Sequence, residues 1–151
     1  MKLRSAVVVL VSSFLLASTG PSFAVDPTPT RADQVASIQS QYNPLFDAQY
    51  ARLLVLKKKT VYDAANLPIV KAVLVDFLGV RKSINSDLAS ATADLETVKA
   101  YAEEETGEFS NTVYLLETQV AKNKTITCVK GKVVKKISAP APKCAKGFKK
   151  K

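Results

Sequence analysis

Apolar residues recur along this chain in three different rhythms. A dense run opens it, steps of three and four fill the middle, and short β-branched runs stand near the end. The middle is the longest part. Over residues 31–60 the apolar positions are Val35, Ile38, Tyr42, Leu45, Phe46, Leu53, Leu54 and Leu56, which share one helical face. Thr30 stands where an N-cap belongs, and Asp33 lies in the first turn, where the helix dipole favours an acid. Lys57, Lys58 and Lys59 suit the C-terminal end. Asn43-Pro44 interrupts the pattern, either as a cap and first residue of a new helix or as a kink in one long helix. A break or kink near Asn43 is the expectation.

Residues 61–66 read as a connector. A second helix is predicted over 67–89, with Pro68 in its first turn. Its face is Val70, Leu74, Phe77, Ile84 and Leu88, widened by Val73 and Leu78. Gly79 inside it costs about 1 kcal/mol relative to alanine, which points to close packing against a neighbour. Lys71 and Asp76 interrupt the apolar stretch over 67–80, so this is a core helix and not a membrane span. Ser90-Ala91-Thr92 breaks the pattern, with Thr92 as the cap of a third helix over 93–122. Leu95, Val98, Ala102, Phe109, Val113, Leu116 and Val120 form its stripe, diluted near Glu105 and Thr106. Segments of similar length joined by short loops predict a mainly α protein, an antiparallel three-helix bundle. The competing architecture is a two-helix hairpin that dimerises, which would make the protein a homo-oligomer.

The rhythm changes again in the last stretch. Residues 126–130 and 133–137 are β-branched runs around Gly131-Lys132, where glycine supplies the positive φ of a type II′ hairpin turn. Ala139-Pro140-Ala141-Pro142 ends the second strand. Cys144 follows Cys128 by sixteen residues. A segment this short buries little core, so a covalent staple is the expected solution. Closing such a loop contributes about 3 kcal/mol. Two cysteines and no histidine cannot complete a tetrahedral zinc site within one chain. Two free thiols in a flexible tail are the alternative, and the compartment decides between them.

The first 24 residues bear on that compartment. Lys2 and Arg4 precede an apolar stretch from Ala6 to Ala17, and Ser22-Phe23-Ala24 offers small residues for cleavage between Ala24 and Val25. The expectation is a signal peptide over 1–24, a proline-spaced linker over 25–30, the helical bundle over 31–122 and a basic module over 123–151. No cysteine follows the cleavage point, so no lipid anchor is indicated. After cleavage no transmembrane segment is expected.

Charge separates the same parts. The whole chain carries 22 basic and 13 acidic residues, net +9. Residues 25–124 hold 11 basic and 13 acidic side chains, whereas 125–151 hold nine lysines and no acid. Those nine are Lys130, Lys132, Lys135, Lys136, Lys143, Lys146, Lys149, Lys150 and Lys151. Such a segment attracts anionic wall polymer, lipid headgroups or other polyanions. The plain alternative is a solubilising terminus.

The pattern I-T-C-V-K-G-K from Ile126 to Lys132, then Lys135-Lys136, then P-K-C from Pro142 to Cys144 with Gly147, Phe148 and Lys149 to Lys151, resembles a C-terminal module of exported actinobacterial proteins. Ala145 departs from that pattern, where a proline would follow the second cysteine. The resemblance covers about the last sixth of the chain. It implies an exported, wall-facing protein and no particular chemistry.

No catalytic constellation is visible. The chain lacks histidine and tryptophan, and it has no nucleophile elbow, phosphate loop or dinucleotide glycine pattern. Glu103, Glu104, Glu105 and Glu108 point around too much of a helix to converge on one ion, so they read as a solvated face. A weaker expectation is that this face receives the lysine tail. Tyr42, Tyr50, Tyr62, Tyr101 and Tyr114 are not interleaved with the lysines, so nucleic acid is not the expected partner. Asn123-Lys124-Thr125 fits a glycosylation sequon, to which an exported bacterial protein gives little meaning. The expected function is non-enzymatic and without a cofactor: envelope association through a tail that binds anionic wall polymer. The alternative is a helical module that holds a partner or client protein, with a passive tail.

Overall fold

A computed structural model describes residues 28–151. The expected signal segment, its expected Ala24–Val25 cleavage point and the first half of the 25–30 linker lie outside the described residues. Three helices, α1 (Arg31–Lys59), α2 (Asn66–Ala89) and α3 (Leu95–Ala121), pack as a bundle. Three strands, β1 (Lys124–Lys130), β2 (Val133–Ala139) and β3 (Lys149–Lys150), follow as a small antiparallel sheet in the order β2-β1-β3. Among the described residues no helix is long and apolar enough to cross a membrane.

Each helix buries a stripe with steps of three and four, with one step of seven from Phe77 to Ile84 in α2. In α1 it is Ile38, Tyr42, Phe46, Gln49, Leu53 and Leu56; in α2, Val70, Leu74, Phe77, Ile84 and Leu88. In α3 it is Leu95, Val98, Ala102, Thr106, Phe109, Val113, Leu116 and Val120. That spacing keeps one seam facing its neighbours along the whole length. Phe77, with no exposed surface, is the centre of the core. Its ring centroid lies 5.0 Å from that of Phe109 and 5.8 Å from that of Phe46, both T-shaped, and 6.0 Å from that of Tyr50, stacked. The chain is not the competing two-helix hairpin: α3 packs on α1 and α2 and completes the core within one chain.

Several expectations need correction. No break stands at Pro44: of the two alternatives, one long helix is the one adopted, and α1 is continuous through the proline. Proline withholds one N–H from the Ser40 carbonyl, but Ser40 and Pro44 both face solvent, while Tyr42, Phe46 and Gln49 continue the buried stripe in phase. Leu45 and Leu78 lie off the stripe and are nearly half exposed. Gly79 does not serve close packing, since a Cβ built there meets nothing within 4 Å. The cap of α3 is Asp94, two residues past Thr92, and it accepts from the Glu96 N–H and the Thr97 hydroxyl. Thr30 does cap α1, in a reciprocal capping box with Asp33.

The dilution of the α3 stripe has a purpose in packing. Thr106 is buried and turns its hydroxyl back to the Ala102 carbonyl at 2.8 Å. Its own carbonyl accepts from the Gln49 side chain at 2.6 Å, so a polar contact ties α1 to α3 at mid-length. Two ion pairs on the rim add to this. Arg52 grips Glu117 with two parallel hydrogen bonds of 3.0 and 2.7 Å, and Arg81 reaches Asp47 at 2.6 Å.

Candidate functional site

β1 and β2 form the hairpin that the sequence predicts, with Lys130 paired to Val133 across Gly131-Lys132. Gly131 has φ +56° and Lys132 is not at positive φ, the sign pattern of a type II′ turn. Pro140 and Pro142 carry the chain away from the end of β2. Cys144 then reaches Cys128 in a disulfide with a Cα separation of 5.6 Å. Cys128 is buried beneath it, at 1% exposed.

The third strand is absent from the sequence prediction. A turn over Ala145–Phe148, closed by the Phe148 N–H on the Ala145 carbonyl at 3.0 Å, puts Gly147 at φ +84°. It returns the chain alongside β1, where Cys128 faces Lys150 and Val129 faces Lys149. The Lys151 N–H donates to the Thr127 carbonyl at 2.9 Å. Lysines have little β propensity, so the strand depends on the disulfide and the glycine turn that precede it.

The sheet meets the bundle through the connector between α1 and α2. The Ser138 N–H donates to the Tyr62 carbonyl at 2.7 Å. Beside that contact, the Asp63 carboxylate is 2% exposed and accepts four hydrogen bonds. The backbone N–H groups of Ala65 and Asn66 bond one oxygen, at 3.1 and 3.0 Å. The amides of Asn66 and Asn123 bond the other. A buried carboxylate is tolerated only with such a full set of donors. Here they come from the start of α2 and from the junction between α3 and β1. The sequon asparagine, Asn123, therefore has a structural partner.

All nine predicted lysines are exposed, and none pairs with a carboxylate among the described residues. Lys130, Lys135, Lys136, Lys149 and Lys150 lie on the strands, Lys132 at the hairpin tip, Lys143 and Lys146 in the return loop, and Lys151 just past β3. Lys124 belongs with them, as the first residue of β1. Two of the ammonium groups sit over aromatic rings, Lys135 over Phe148 and Lys136 over Tyr62, each 5.3 Å from the ring centroid. Tyr62 is thus part of the site, and no local pattern in the sequence marks it.

The acidic face does not receive this module. Glu108 lies thirteen residues before the end of α3, which is about 20 Å of helix. Glu103, Glu104 and Glu108 are solvated, whereas Glu105 is half-buried. Burial pushes the Glu105 carboxyl above the usual carboxylate range. Among the described residues no three Asp, Glu or Cys side chains gather as metal ligands.

The arrangement presents cations on a covalently braced sheet. What it can do chemically is neutralise a polyanion, and with lysines only it does so by point charge and not by bidentate forks. Comparison with protein-family models, with curated proteins and with solved structures finds no match.

Proposed function

We propose that this is an exported, non-enzymatic protein of the cell envelope, held there by its C-terminal sheet through anionic wall polymer. The observation that carries this reading is charge left unneutralised on a built scaffold. Nine lysines stand exposed on a disulfide-braced module, with no carboxylate partner among the described residues, beside a bundle that is itself slightly acidic. A merely solubilising terminus needs neither a staple nor a sheet. The disulfide also fits an oxidising compartment, in keeping with the signal-like first 24 residues.

The alternative, a helical module that holds a partner through its apolar stripe, has less support. The stripe residues of all three helices are turned inward and covered by one another.

The test is binding of the oxidised protein to isolated anionic wall polymer across a salt series. Retention that weakens steeply with salt, and is lost both on deleting residues 125–151 and on changing the nine lysines to glutamine, is the expected result. Binding that ignores salt, or survives both changes, overturns the reading.

A further inference from the structure

The register of the sheet sorts its lysines in a way that bears on what the polymer looks like. Residues paired across antiparallel strands share a face. Lys124, Lys130, Lys135 and Lys150 therefore lie on the face that carries the disulfide, with Cys128 between them. Lys136 and Lys149 lie on the opposite face, together with Thr127, Val129 and Val134. Lys132 stands at the tip, and Lys143, Lys146 and Lys151 edge the return loop and terminus. Charge thus stands on both faces of the sheet, at its hairpin tip and along its return loop.

Neighbouring Lys135 and Lys136 make this deliberate in physical terms. They point to opposite faces, and each ammonium group is held 5.3 Å from a ring, Phe148 on one side and Tyr62 on the other. A ring beside an exposed lysine favours that position of its charge by about 0.5–1 kcal/mol. Side chains on the two faces of a sheet place their charged ends roughly 10 Å or more apart, beyond the screening length of about 8 Å at physiological ionic strength. A flat anionic surface that meets one face gains almost nothing from the other. A thin, flexible chain can meet both.

Resting on the polyanion reading above, we propose that the ligand of this module is a flexible linear polyanion that wraps it and engages both faces, and not a planar anionic surface such as a lipid bilayer. Specific base or sugar recognition is not required of it, because the lysines act as point charges without a fork geometry.

The experiment measures affinity against salt for two probes, long-chain inorganic polyphosphate and phosphatidylglycerol vesicles, with the oxidised protein. Two variants remove charge from one face at a time: K130Q/K135Q/K150Q, three of the four lysines of the disulfide face, and K136Q/K149Q on the other. Amide exchange of β1 confirms that each keeps its sheet. For a single-stranded polyanion each lost contact lowers the slope of log affinity against log salt by about 0.7. The expected result is tight polyphosphate binding, with the slope reduced by about 2 in the first variant and about 1.4 in the second. A slope unchanged in either variant, or binding to vesicles without binding to polyphosphate, overturns the wrapping and leaves the polyanion reading standing. No salt-dependent binding to either probe overturns both.

Discussion

The side-chain amide of Asn123 donates to the buried carboxylate of Asp63, 60 residues away, and that contact joins the sheet to the bundle. Asp63 also caps the start of α2 through the N–H groups of Ala65 and Asn66. One carboxylate thereby sets both the turn between the first two helices and the exit of the third. Asp63→Ala strips a partner from several buried donors at once, and the expected loss of stability is about 3 kcal/mol. Denaturant unfolding measures it. Exchange of the Ser138 amide, which bonds Tyr62 next door, is expected to quicken in the same variant.

Much of this architecture is legible from residue pattern alone, and the exceptions have physical reasons. The buried stripes, the Thr30 cap and the hairpin around Gly131 follow from local spacing and short-range chemistry, and the Cys128–Cys144 bond follows once an oxidising compartment is granted. Asp63 does not, because its meaning depends on Asn123, which only the closed bundle brings near. The β3 strand escapes for a similar reason: Lys149 and Lys150 pair with β1 through a return of the chain over the Ala145–Phe148 turn, which no period in the sequence marks. Pro44 misleads because a proline on the solvent side of a long, well-packed helix is less disruptive than its local chemistry suggests. Of the lysine site, the residues are plain in the sequence, whereas their division between two faces requires the register.

Opening the Cys128–Cys144 bond separates the two parts of the molecule. Cys128→Ser/Cys144→Ser is expected to lose about 3 kcal/mol from the sheet while the bundle keeps its helices, because the aromatic core around Phe77 lies within α1, α2 and α3. Circular dichroism should show retained helix, and amide exchange over 124–151 should rise sharply. Loss of the helical signal would show that the bundle depends on the sheet.

Two glycines offer stabilisation. A Cβ at Gly79 or at Gly107 meets nothing within 4 Å, and both sit on exposed helical surface at ordinary helical φ. Gly79→Ala and Gly107→Ala are each expected to raise stability by about 0.5–1 kcal/mol, measured as a higher denaturant midpoint with an unchanged slope.

Glu105 and Glu117 are expected to move acid stability in opposite directions. The Arg52 hydrogen bonds hold the Glu117 carboxyl below the usual range. Its contribution is therefore present above the unfolded-state value and is lost as pH falls through the depressed folded one. Glu117→Gln should cost about 0.5 kcal/mol at neutral pH, as expected for a partly exposed pair, and flatten the acid limb. Burial raises the Glu105 carboxyl instead, so that its contribution is present below the unfolded value and lost as pH rises through the folded one. Glu105→Gln should stabilise the protein at neutral pH. Unfolding midpoints across the acid range measure both.

The most direct test of envelope retention by the braced lysine module is fractionation of cells expressing the full chain, followed by salt elution of the wall fraction and intact mass with and without reductant. The account predicts a species that begins at Val25, gains the two hydrogens of one disulfide on reduction, and leaves the wall as salt is raised. A chain that keeps Met1, arrives with reduced cysteines, or stays on the wall at high salt would contradict it.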